Sequence, residues 1–226
     1  ERSYFEKFTE IVEVIDSISN PTGIYNHVRK YLRENGEESH VQMNIAGQKL
    51  KVLDKYTPND PNEYVIVITD HLGLLQPEKG EGGGNLYDSM SFFSKTYCRK
   101  MLTKKYNYVV VNVQQQTASQ EGLDAMKLDK LEPSLNGLAE NKTLSRDAQV
   151  VLGLFAPIRY KKREHLGYDI TIMKDNDRSL HVMKNRIGRP NATAGMFFDG
   201  ASNKFVQLPK ADSPSMESIY NQFKTK

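Results

Sequence analysis

Two strand ends carry the first residues in this chain whose types and spacing suit chemistry. Residues 64–70, Tyr-Val-Ile-Val-Ile-Thr-Asp, form a near-continuous apolar run closed by Asp70. Residues 108–113, Tyr-Val-Val-Val-Asn-Val, form a second run that leads into Gln114, Gln115 and Gln116. Such runs read as strands buried on both faces of a parallel sheet, and the carboxyl ends of adjacent strands in such a sheet are where ligands settle. A carboxylate there can hold a magnesium ion through water, and an amide one strand away can sense or orient a phosphate. The same residues also fit a plainer reading, in which Asp70 caps the next turn and the glutamines are solvated. Further along, Lys184 and Arg186 stand two apart, the spacing of one face of a strand. His71 has no acid at a fixed spacing to orient it and reads as packed or solvated.

These groups need a frame, and composition sets its kind. With 226 residues, 38% hydrophobic and 26% charged, the chain falls among ordinary globular proteins and is long enough to bury a core as one domain. The single Cys98 cannot pair within the chain and no Cys/His spacing suggests zinc, so a reducing compartment, the cytoplasm, is expected. Cys98 itself reads as a small buried hydrophobe on a helix face. No apolar stretch approaches membrane-span length, so no membrane partner is expected. From residue 151 onward there are 13 Lys/Arg against 7 Asp/Glu, whereas the first 150 residues are net acidic, an asymmetry compatible with nucleic acid as partner.

Pattern then places the elements. Residues 8–15 are β-branched and predict a strand, with Glu10, Glu13 and Asp16 along its solvated edge. Asn20 and Pro21 start a helix whose apolar face is Ile24, Val28, Tyr31 and Leu32, and Asn35-Gly36 stops it. Residues 37–63 read as an insertion in which 41–45 and 49–53 alternate around Ala46-Gly47 as a hairpin. The glycines at 80, 82, 83 and 84 predict a mobile loop, and Leu86, Met90, Phe93, Tyr97 and Met101 a helix. Residues 117–145 form a long polar connection of the kind that is functional or disordered. A third buried strand is expected over 148–155, then antiparallel strands over 168–173, 180–185, 193–198 and 205–208, and a loosely held tail over 209–226. The fold class is α/β.

The ordered series Thr69-Asp-His-Leu-Gly73, Val111-Asn-Val-Gln-Gln115, Leu138-Ala-Glu-Asn-Lys-Thr-Leu-Ser-Arg-Asp-Ala-Gln149, Met183-Lys-Asn-Arg-Ile-Gly188, Gly195-Met-Phe-Phe-Asp199 and Lys204-Phe205 resembles the C-terminal RecA-like motor domain of DnaB-family replicative helicases. The resemblance implies a RecA-like, mostly parallel sheet flanked by helices over 1–208, with a C-terminal antiparallel run. It implies an ATP- and Mg-dependent helicase that unwinds DNA in replication as a homo-oligomer, a hexameric ring on single-stranded DNA, with a helicase loader or primase as further partners. On it, Asp70 is the Walker B acid that orders magnesium, and Gln115, with Gln114 as the alternative, couples phosphate state to the DNA loops. Lys184 and Arg186 reach the ATP of a neighbouring subunit, Arg186 as arginine finger. Ala139, Glu140 and Lys142 lie in the loop that lines the channel and contacts DNA.

Departures from the pattern are as informative. Ala139 and Lys142 stand where the family has Arg and Gly, Gln149 replaces its second Asp, and His71 replaces its Tyr. No Gly-x-x-x-x-Gly-Lys-Ser/Thr occurs anywhere, so a phosphate loop is missing from these residues. Because the family places that loop upstream and the chain begins at Glu1, a fragment of a divergent, phage-like member is expected, and these residues alone are expected to be inactive. A catalytically inactive RecA-fold ring partner or regulator is the alternative, and a non-motor α/β enzyme using Asp70 is a third.

Overall fold

The computed structural model describes residues 2–78, 84–117, 122–128, 130–138, 141–142 and 144–224, in two compact units, 1–114 and 115–226. The glycines at 80, 82 and 83, together with Ala139 and Glu140, lie outside the described residues.

In the first unit, α1 spans Arg2–Ile11 and α2 Pro21–Glu34. The strand expected over 8–15 is therefore a helix end followed by irregular chain. The β-branched run begins where α1 stops, and no strand pairs with it among the described residues. Glu10 and Glu13 are exposed as expected, but Glu13 lies 2.9 Å from His27 and not on a strand edge. α2 starts at Pro21, yet the Asn20 side chain does not cap it. Glu78 does so, accepting from the Thr22 amide at 2.7 Å and from Asn20 Nδ2 at 2.6 Å. Burial pushes Glu78 up, and these bonds outweigh it and hold the carboxyl below its ordinary range.

The inserted hairpin is longer than the sequence pattern suggests. β1, Gly36–Ile45, pairs antiparallel with β2, Gln48–Pro58, through Ala46 and Gly47 at φ 50° and 82°. Two successive left-handed residues are what a tight hairpin turn demands. β3, Ile66–Thr69, and β4, Val109–Asn112, pair in parallel, Thr69 opposite Asn112. Between them run α3, Leu86–Phe92, capped by Asn85 Oδ1 at 3.0 Å from the Asp88 amide, and a π-helical continuation, Phe93–Thr103. α2, β2 and the π-helix bury Tyr25, Val28, Leu32, Leu53, Tyr56, Leu102, Tyr106 and Tyr108 against Val65, Val67 and Val110. Only that face of the β3–β4 pair is covered. Ile66 and Ile68 are 57% and 65% exposed, which corrects the expectation of burial on both faces.

The second unit contains α4, Leu123–Lys127, and α5, Leu144–Asp147. β5, Val150–Phe155, is followed by the two-residue strands β6, Glu164–His165, and β7, Tyr168–Asp169, and by α6, Ile170–Met173. Then come β8, Asp177–Asn185, β9, Ala192–Asp199, β10, Lys204–Gln207, and α7, Pro214–Lys224. β10, β9, β8 and β5 form one antiparallel sheet in that order. The expected mostly parallel sheet is thus reduced, among the described residues, to β3–β4. β5 runs beside β8 because the chain turns back through 157–163 without the crossover that parallel pairing needs.

Two further expectations change. Residues 168–173 form a short ribbon strand and then α6, because Asp169 Oδ1 accepts from the Thr171 and Ile172 amides at 2.9 and 3.3 Å and so nucleates a helical turn. The tail expected to be loose forms α7, whose Met216 is buried with Tyr168, Ile170, Met173 and Leu208. Gly195 on β9 admits that packing, since a Cβ there would lie 2.4 Å from the Tyr168 ring.

Candidate functional site

Asp70 follows β3 directly, at the carboxyl end of the parallel pair, and is exposed. The turn after it is closed without its help. His71 Nδ1 accepts from the Gly73 amide at 3.2 Å to start the 3-10 turn Leu72–Leu74, and the Leu72 amide donates to the Val113 carbonyl at 3.0 Å. Among the described residues the Asp70 carboxylate makes no hydrogen bond or ion pair. A turn-capping Asp70 is thus replaced by a turn-capping His71, and Asp70 keeps all its acceptor capacity for something outside the unit. Beside it, Asn112 donates to Cys98 Sγ at 3.7 Å while its Oδ1 is buried without a partner among the described residues. Cys98 is buried on the π-helix, as its sequence position predicts.

One exposed carboxylate fits a magnesium ion that keeps most of its water and shares nucleotide phosphates; it does not fit an all-protein cage. No group of three metal-ligating side chains occurs among the described residues, in keeping with that division.

In the second unit, Gln115 is exposed and without a partner among the described residues. Its neighbour Gln116 bridges to Leu138, and the Thr117 amide donates to the Gly137 carbonyl at 2.8 Å. The residues after Gln115 are therefore stitched to the start of the segment 138–142. Asn141 is buried there, while Lys142 is exposed, its carbonyl held by Ser145 Oγ at 2.9 Å. The Oε1 of Gln116, buried and unpartnered among the described residues, went unnoticed at the sequence level.

Lys184 and Arg186 share one side, as a period of two requires, and both turn to the end of α5. Lys184 Nζ donates to the Ser145 carbonyl and, at 3.3 Å, to that of Arg146. Arg186 Nη2 donates to the same Arg146 carbonyl at 2.8 Å. Cations at a helix carboxyl end satisfy orphan carbonyls, so the pair is neither a bare solvated face nor aimed only outward. Arg186 is exposed, and one neutral carbonyl bond leaves most of its five N–H donors for an anion.

A buried polar cluster on the inward face of β8 was not legible beforehand. Ser179 Oγ lies 2.9 Å from His165 Nε2 and 2.8 Å from His181 Nε2, and Glu132 approaches both rings at 3.6 and 3.8 Å. Burial pulls His181 down, with Glu132 opposing it. Two residues along that face, Asp177 is 1% exposed with both carboxylate oxygens unpartnered among the described residues, and burial pushes it up to about 7. These residues come from positions 132, 165, 177, 179 and 181, a spread that no local motif spans.

No protein-family model and no curated protein matches the chain. Among solved structures, 17 chains match. One, the ATPase domain of a phage DnaB-like helicase, is 21% identical with a TM-score of 0.58, covering 84% of this chain and 52% of that one. The chain therefore carries the fold of an ATPase domain and spans about half the length of the solved structure it resembles.

Proposed function

We propose that the chain is part of the motor of a DnaB-like, ring-forming DNA helicase that hydrolyses ATP and moves on single-stranded DNA. The observation that carries this is Asp70: an uncommitted, exposed carboxylate at the carboxyl end of a parallel strand, in a chain with the fold of an ATPase domain. In this reading Asp70 holds the water shell of a magnesium ion, and the ion, when bound with ATP, neutralises charge on the transferring phosphate. Lys184 and Arg186 act on the nucleotide of a neighbouring subunit in a hexamer, Arg186 as the arginine finger. Their bonds to the end of α5 tie that cation pair to the segment after 138–142, so a change at one is felt at the other. Gln115, stitched through Gln116 to Leu138, supports the same coupling. Lys142, with Ala139 and Glu140, is assigned to the DNA strand. The phosphate loop comes from outside these 226 residues.

In the full-length protein, Arg186→Ala is expected to leave nucleotide binding nearly intact and to lower turnover by about 10³ or more. Mixing it with Asp70→Ala protein restores part of the activity at interfaces where intact halves meet. Normal turnover in Arg186→Ala overturns the assignment. The absence of a phosphate loop favours one other reading, a RecA-fold ring partner that assembles without hydrolysis. Under it, Asp70→Ala and wild type show the same hydrolysis, at background, while both still assemble.

A further inference from the structure

The chain leaves β5 through Arg159-Tyr-Lys-Lys-Arg163, four cations in five residues. The turn is well fixed. Pro157 is buried at its start, and the Arg159, Lys161 and Lys162 amides donate back to the carbonyls of Ala156, Ile158 and Pro157 at 3.2, 3.0 and 3.4 Å. Lys161 reverses the chain at φ 56°, Tyr160 stacks on Phe155 with ring centroids 5.3 Å apart, and the Arg163 carbonyl accepts from the Ile170 amide at 2.9 Å. Both ends are thus anchored to the unit's core. Arg159, Lys161 and Arg163 are exposed, and no ion pair reaches any of them among the described residues. Glu164 is the one acid contiguous with them.

Register separates this turn from the groups already discussed. Phe155, at the turn's end of β5, faces Ser179, whereas Lys184 faces Val151 at the other end. Four residues of strand put roughly 13 Å between those two levels. α5 and the 138–142 segment also precede β5, so they belong to the Lys184 end of the chain path.

We propose that the turn 157–163 is a second grip on the phosphate backbone of single-stranded nucleic acid, separate from the 138–142 segment and carried by Arg159, Lys161 and Arg163. The identity of the polyanion rests on the reading above that the chain works on single-stranded DNA. A turn with a fixed backbone loses little chain entropy on binding, and guanidinium forks pair with phosphate oxygens in two-pronged fashion. Contacts to phosphate alone bind without regard to sequence and weaken as salt rises.

The test is fluorescence anisotropy of the 226-residue chain with a labelled oligothymidine of about 20 nucleotides, titrated at several salt concentrations. Replacing Arg159, Lys161 and Arg163 together by Gln is expected to lower the salt slope by about 2, since each phosphate contact on a single strand contributes about 0.7. Arg163→Gln alone lowers it by about 0.7, which keeps the test sharp if the triple variant fails to fold. The charge-retaining variant Arg159→Lys/Lys161→Arg/Arg163→Lys keeps the wild-type slope. Superimposable curves for wild type and both Gln variants, with Lys142→Ala weakened, overturn the second grip and leave the DNA reading standing. A wild-type chain that binds no oligothymidine at low salt overturns the DNA reading and the proposal with it. Stronger binding of polyglutamate than of oligothymidine overturns the nucleic-acid assignment in favour of an acidic protein partner.

Discussion

Asp177 gives the sharpest stability prediction, because its position on β8 commits a carboxyl to the interior with nothing among the described residues to pair it. Alternation along the strand turns Asp177 inward and Arg178 outward. Arg178 is then spent elsewhere: it donates to the Asp175 and Asp177 carbonyls at 2.8 and 2.7 Å, pairs with the Asp175 carboxylate at 3.0 Å and lies over the Phe198 ring at 4.9 Å. Burial dominates, Arg178 opposes it only partly, and the carboxyl is raised from 3.8 to about 7. The folded state therefore holds a proton that the unfolded chain releases, and stability falls as pH rises through that window. A shift of about three units corresponds to about 4 kcal/mol in full. Asp177→Asn removes the titration and keeps the shape. Its stability relative to wild type should rise by roughly 2–3 kcal/mol between about pH 5 and pH 8 and then level off, since above the folded value both states are ionised. Urea unfolding of both proteins across that range measures the gap. Any constant offset from the amide cancels in the comparison, so a gap independent of pH would refute the claim that an unpaired carboxyl is buried there.

Two other perturbations test the packing of each unit. Glu38 is held by Arg29 at 3.0 and 2.8 Å and by the Tyr106 hydroxyl at 2.6 Å, and the Arg29 bond, against burial, brings it down to about 2. The stability this contributes is present above about 4.5 and lost as pH falls through about 2, so Glu38→Gln should cost about 3 kcal/mol at neutral pH and progressively less in acid, read by urea unfolding. Met216→Ala should cost about 2–5 kcal/mol by opening a cavity under α7. Thermal unfolding unchanged by that substitution would mean that α7 does not contribute to the second unit's core.

What was legible in the sequence divides by the range of the interactions involved. Pro21 fixes its own backbone and Ala46-Gly47 closes its own turn, so α2 and the hairpin could be read locally, and two apolar runs announced β3 and β4. The apolar runs could not tell whether one face or two would be covered, because that depends on which helices arrive. Residues 168–173 misled for the opposite reason: their β-branched composition is real, but one Asp169 carboxylate satisfying two amides outweighs it. The same distinction governs the candidate site. That a carboxylate ends β3 is a property of position 70. That it stays free is a property of His71, whose ring nitrogen happens to reach the Gly73 amide, and of a unit whose described residues bring Asp70 no cation. Lys184 and Arg186 could be paired by period two, but their shared target, the Arg146 carbonyl, lies about 40 residues earlier and depends on where α5 ends. A residue free of its neighbours is visible only when the neighbours are placed. Freedom from local bonding is therefore the property of Asp70 that the fold adds to its position, and it is the one that leaves the carboxylate available for a hydrated metal ion.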